Sequence, residues 1–128
     1  MNRRKLPRFH VELRCSFVSD QCSGEGTVLD LSMEGCCVRS GTPLLKGTYV
    51  ELFVSLLGQI PPLPVELAVI RWSTGPLSGL EFIRIADGHH ARLHRYVQDL
   101  EQALMVMVPA ISMGGSDEAR PSQGETCG

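Results

Sequence analysis

The strongest constraint on this chain is a strict alternation that begins at Phe9. Phe9, Val11, Leu13, Cys15 and Phe17 are apolar, while His10, Glu12, Arg14 and Ser16 between them are polar. A period of two sends successive side chains to opposite faces of a strand, one toward a core and one toward water. A helix cannot use this pattern, because at 3.6 residues per turn the same apolar groups would scatter around its axis. Similar β-rich stretches follow at Gly26–Leu31, Cys36–Ser40, Tyr49–Leu57, Val65–Trp72 and Gly79–Ile85. They are separated by a loop at Ser19–Glu25, by the turn "SMEG", and by the breaker-rich runs "GTPLLKG", "GQIPPLP" and "STGPLS". Short strands punctuated in this way predict an antiparallel sandwich or barrel. Closing the sheet would hide edges that otherwise recruit other strands.

After Ile85 the period changes. Leu93, Tyr96, Val97, Leu100 and Leu104 fall at helical spacing, with Arg92, Arg95, Gln98, Asp99 and Glu101 between them. This predicts one amphipathic helix over roughly His89–Met107, capped by Asp87 and ended by Pro109. The expected fold class is all-β with one C-terminal helix, as a six-stranded antiparallel β-barrel. The expected organisation is a flexible basic arm at 1–8, the barrel and helix at 9–108, and a disordered tail at 109–128, where Gly, Ser and charged residues dominate. The 128 residues suffice for one such domain and a real core.

Charge narrows the function. The formal net charge is only −2, which argues against a surface that coats a nucleic acid polymer, so any anion site must be local. Locally, "RRKLPRF" at residues 3–9 carries four cations in seven residues. No run of eighteen apolar residues spans a membrane, and the basic N-terminus lacks the apolar stretch of a secretory leader. The five cysteines form no CxxC pair, so reduced thiols in a cytoplasmic protein are expected, with no metal. His90 and His94 have the i, i+4 spacing of a zinc helix but no third ligand, and read as solvent-facing. Trp72 and Phe82 read as core residues.

Two groups can carry chemistry. One is the run Arg3-Arg4-Lys5-Leu6-Pro7-Arg8, and the other is "DLSMEG", Asp30 to Gly35. Twenty-one residues separate Arg8 from Asp30, enough for two strands and a loop. In an antiparallel hairpin the start of the first strand lies beside the end of the second, so topology brings the cations to Asp30 and Ser32. A guanidinium fork pairs with phosphate or with the O6 and N7 atoms of guanine, and it stacks on flat rings. A carboxylate repels phosphate but accepts hydrogen bonds from guanine N1–H and N2–H. Ser32 can add a contact, and Gly35 permits a positive φ and close backbone approach. Such a site suits a ligand carrying both phosphates and guanines.

The order RxxxR, then DxSxxG about twenty residues later, resembles the PilZ domains of bacterial cyclic di-GMP receptors. Arg4 and Arg8 match the two arginines, and Asp30, Ser32 and Gly35 match the second motif. "SGLEF" at Ser78–Phe82 resembles the family's Gly-containing strand near the end of the barrel. The resemblance implies a PilZ-like split barrel that binds cyclic di-GMP without turning it over, with no catalytic residues and no cofactor. It implies that the arginines wrap the ligand while the DxSxxG loop holds a guanine. Because Arg3 directly precedes RxxxR, it also implies an intercalated ligand dimer with Arg3 as a further contact. Output would pass by conformational change to an effector protein that the sequence does not identify. Two other readings compete. One is an adaptor on the same barrel that has lost ligand binding, for example in pilus or motility machinery, and the intact motif residues count against it. The other is an RNA binder using the basic arm, and the seven aromatics, mostly on apolar faces, leave it few stacking platforms.

Overall fold

The first alternation becomes β1 (Phe9–Val18), in which Val11, Leu13, Cys15 and Phe17 are buried and His10, Glu12 and Arg14 are exposed. The computed structural model describes residues 7–114, with side chains as far as residue 103. After β1 come β2 (Ser23–Leu31), β3 (Gly35–Ser40), β4 (Tyr49–Val54), β5 (Leu63–Thr74), β6 (Leu77–Arg84) and α1 (Asp87–Gly114). The strands close into an antiparallel barrel in the order β1-β2-β3-β6-β5-β4, with β4 returning to pair with β1 through Cys15↔Val54 and Phe17↔Leu52. Closure leaves no free edge in the sheet.

The core is one cluster. Phe17, Val28, Leu31, Leu52, Leu63, Ile70 and Leu93 are among its fully buried side chains, so every strand feeds it along one face and α1 seals it with Leu93 and Val97. These two helical residues stand at i and i+4, on one face of α1, which packs against β1 and β5. Phe82 packs against the cluster as expected.

Several boundaries differ from the sequence reading, each for a local reason. The first loop shrinks to residues 19–22, where the Ser19 hydroxyl accepts from the amides of Gln21 and Cys22, and the Ser19 amide donates to the Cys22 carbonyl. β4 stops at Val54, because the chain turns through Leu56–Gln59, leaving Leu56 buried and Leu57 exposed. β5 starts at Leu63 and includes Pro64, a proline near the first position of its strand, where a missing N–H is tolerated. The helix begins at Asp87 with the His90 amide donating to the Ala86 carbonyl, so Asp87 lies in the first turn, where its charge faces the amide dipoles. It also runs through Pro109 to Gly114, contrary to the expected stop. A proline removes one intrahelical bond without compelling termination when its neighbours continue the helix. The remainder of the expected tail, and residues 1–6 of the expected arm, lie outside the described residues.

Two side-chain assignments are also corrected. Trp72 is not in the core. Period two from Ile70 would point it inward, but a bulge between Ile70 and Trp72 turns it to the outer face opposite Gly79. Cys37, whose side of the strand is opposite that of core residue Cys36, is disulfide-bonded, so the expectation of reduced thiols fails there. Cys15, Cys22 and Cys36 are free.

Candidate functional site

The β1–β2 hairpin builds the site. Its register sets Phe9 opposite Leu31 and His10 opposite Asp30. Phe9 and Leu31 face the core, so His10 and Asp30 face outward. Arg8 lies two residues before His10, on the same side of the extended chain. Its Nη1 donates to Asp30 Oδ1 at 2.7 Å. The side chains are 28% and 13% exposed, so this pair is partly desolvated and stronger than a fully solvated one. Arg8 Nε is buried and has no hydrogen-bond partner among the described residues. The charges are felt inside the barrel. Burial pushes the Cys36 thiol well up, with smaller contributions from Cys15 and Asp30 in the same direction and from Arg8 in the opposite one.

The turn after Asp30 is held by Ser32. Its amide donates to the Gly35 carbonyl at 2.9 Å, and its hydroxyl accepts from the amides of Glu34 and Gly35 at 3.1 and 3.3 Å. The hydroxyl is buried with its residue and so shapes the loop from within rather than presenting itself to solvent. Gly35 does not adopt a positive φ; among the described residues only Gly47, Gly58 and Gly75 do. Its role is close approach. A Cβ at Gly35 would stand 2.1 Å from the Leu80 carbonyl oxygen, so only glycine lets β3 pair with β6 here.

From Asp30 the outer face continues across the sheet. Successive strand neighbours are His10, Asp30, Cys37, Gly79 and Trp72, on β1, β2, β3, β6 and β5. The indole reaches back over β6, since a Cβ on Gly79 would lie 2.1 Å from Trp72 Nε1. With strands about 4.8 Å apart, Asp30 and the backbone beneath the indole are separated by roughly 10 Å of sheet surface. One face therefore offers a guanidinium, a carboxylate and an aromatic ring, a set that can pair with phosphate, accept from a purine edge and stack on a base.

Of the motif residues predicted from sequence, Arg8 and Asp30 meet directly, and Ser32 and Gly35 form the turn that follows Asp30. Arg3 and Arg4 lie outside the described residues. The sequence reading did not place Trp72 on this face. The available signal was Gly79 on the far side of the "STGPLS" turn, a residue with no side chain opposite the chain's largest one. A separate cleft of about 660 Å³, between α1 and the β4–β5 loop, is lined by Leu57, Arg92, Arg95 and Tyr96 and shares no residue with this face.

A PilZ domain family model matches residues 2–99. The chain belongs to the PilZ domain family. No curated protein matches this PilZ domain. Among solved structures it is similar to the PilZ domain with c-di-GMP of YcgR from Escherichia coli, at 18% identity and a TM-score of 0.65, over 84% of this chain and 98% of that one. It is similar to the inhibitor of motility MotI/DgrA of Bacillus subtilis, at 20% identity and a TM-score of 0.64. That match covers 82% of the PilZ domain described here but 53% of MotI/DgrA, about half its length. The PilZ domain of CeSA from a cellulose-synthesizing bacterium matches at 20% identity and a TM-score of 0.59, over 74% of this chain and 98% of that one. At these identities the likeness concerns the fold. Among the described residues, no helix is long and apolar enough to cross a membrane.

Proposed function

We propose that this PilZ domain is a non-enzymatic receptor for cyclic di-GMP. The observation that carries the reading is the 2.7 Å contact of Arg8 with Asp30, which unites the two motifs on one outer face. The pair suits both halves of the ligand. Arg8 neutralises the carboxylate that would otherwise repel phosphate, and it keeps Nη2 for a charged hydrogen bond. Asp30 accepts from the guanine N1–H and N2–H edge. Ser32 and Gly35 hold the loop in shape beside that guanine. Trp72 provides a ring on which a base can stack.

Arg3 and Arg4 supply further guanidinium contacts in this reading, and Arg3 supports an intercalated ligand dimer. A micromolar complex needs about −8 kcal/mol. Charged hydrogen bonds of about 1.5–3 kcal/mol each, with base stacking, can supply that value. Engagement of the basic arm by the ligand changes the surface offered to an effector protein, which is the output of a domain without chemistry of its own. The solved complexes of YcgR with c-di-GMP support the choice of ligand.

Isothermal titration of the full chain with cyclic di-GMP tests the reading. Saturable binding that is abolished by Arg8→Ala and weakened by Asp30→Ala is expected. Wild-type affinity in Arg8→Ala would refute the site. A stoichiometry near two ligands per chain supports the Arg3 contact, and a ratio of one counts against it.

A further inference from the structure

His10 belongs to neither motif, yet the register sets it directly opposite Asp30. Side chains paired in this way have Cβ atoms about 5 Å apart. Arg8 and His10 therefore flank the same carboxylate from one strand. Arg8 already occupies Asp30 Oδ1 at 2.7 Å, whereas the His10 side chain is exposed and makes no hydrogen bond or ion pair among the described residues. An imidazolium at this place is a second cation beside a carboxylate that Arg8 has already neutralised. Its charge is available to an incoming anion.

We propose that His10 is a further contact of the binding site, donating from its imidazolium to a ligand phosphate and so making affinity depend on pH. The inference rests on the cyclic di-GMP reading above. Histidine is the side chain whose charge commonly changes between pH 5 and 8, while a phosphodiester stays anionic throughout. The sign follows from linkage. A proton held by His10 strengthens attraction to phosphate, so binding takes up a proton and affinity rises as pH falls. The register sets Asp30 of β2 opposite His10, Arg8 and Glu12 stand two residues before and after it along the chain, and Glu34 lies in the turn that follows Asp30. The β4 carboxylate Glu51 pairs at the far end of β1, opposite Val18. The helix packed on β1 carries Asp87, His89, His90, Arg92, His94, Arg95, Asp99 and Glu101. All of these remain in a His10 variant, so comparing variant with wild type isolates His10.

The test is calorimetric titration with cyclic di-GMP at about pH 6 and about pH 8, at fixed ionic strength, for wild type, His10→Gln and His10→Lys. Wild type is expected to bind roughly fivefold more tightly at the lower pH, the size of one partly solvated charge contact. His10→Gln should lose that ratio and match wild type at the higher pH. His10→Lys should bind tightly at both. Retention of the wild-type ratio in His10→Gln, or a wild type with equal affinity at both pH values, overturns the role of His10 while leaving the receptor reading intact. Absence of wild-type binding at either pH overturns both.

Discussion

Trp72 lies over Gly79 so closely that a Cβ on the glycine would stand 2.1 Å from the indole Nε1 and 2.5 Å from Cε2. The two residues are register partners on β5 and β6, on the outer row that also holds Asp30. Trp72 is the only tryptophan in the chain, so its emission reports on this face alone. Titration with cyclic di-GMP should change the emission intensity or wavelength saturably, with the same midpoint as calorimetry. Removing the ring in Trp72→Ala should weaken binding by about 1–3 kcal/mol, the range for a base stacked on an aromatic side chain, while Trp72→Phe keeps most of the affinity. Gly79→Ala should displace the indole and weaken binding without touching any charged group. An unchanged emission spectrum at ligand saturation would remove Trp72 from the site.

The Arg8–Asp30 pair separates binding from stability. Because the arginine is partly solvated, Arg8→Ala should lower stability by only about 1 kcal/mol while removing ligand binding. Asp30→Asn keeps the shape and a hydrogen-bond acceptor but frees Arg8 from its counter-charge. Affinity should then fall less than in Arg8→Ala, because only the guanine contact is weakened. Chemical denaturation and titration of the same preparations decide the point. A large stability loss in Arg8→Ala, several kcal/mol, would mean that the pair serves the fold instead.

Gly35 and Ser32 act on the fold. At Gly35 the obstacle to a side chain is backbone, the Leu80 carbonyl oxygen, which no rotamer change can move. Gly35→Ala is therefore expected to destabilise by about 1–3 kcal/mol, the cost typical of overpacking, although alanine usually suits a strand better than glycine. Ser32→Ala leaves the Glu34 and Gly35 amides without their hydroxyl acceptor and should lose about 1–2 kcal/mol. Thermal or urea unfolding measures both. Equal stability of Gly35→Ala and wild type would show that β3 and β6 do not approach as described.

The parts of this domain that were legible in the sequence are those set by burial on one face. β1 was readable from Phe9 to Phe17 because each apolar side chain enters the core and each intervening residue does not. The meeting of Arg8 with Asp30 was readable too, since an antiparallel hairpin leaves little choice about which ends adjoin. Strand ends were harder, because partners decide them. Leu56 is buried as a core side chain would be, yet it sits in a turn beyond β4. The side of Trp72 was misread because one bulge near Arg71 reverses the alternation, and a bulge leaves no mark in a hydrophobic pattern. The close approach at Gly35 is to the β6 backbone, and the conformational freedom expected of it is not used.

The core thiols provide a pH test that is independent of any ligand. Burial pushes Cys15 up to about 11, partly offset by a hydrogen bond from the Gly26 backbone, and pushes Cys36 well above 9.0. A raised pKa in the folded state means that the folded protein holds a proton that the unfolded chain releases above 9.0. The stabilising contribution is therefore intact below pH 9 and is lost progressively as pH rises toward 11. For Cys15 alone the loss approaches about 2–3 kcal/mol at the upper end, at about 1.36 kcal/mol per pH unit. Urea unfolding across this range should show wild type losing stability more steeply than Cys15→Val, which keeps an apolar side chain at the site but cannot ionise. All other ionisable groups are common to both proteins, so the difference in slope belongs to the thiol. Parallel curves would mean that Cys15 reaches water in the folded state.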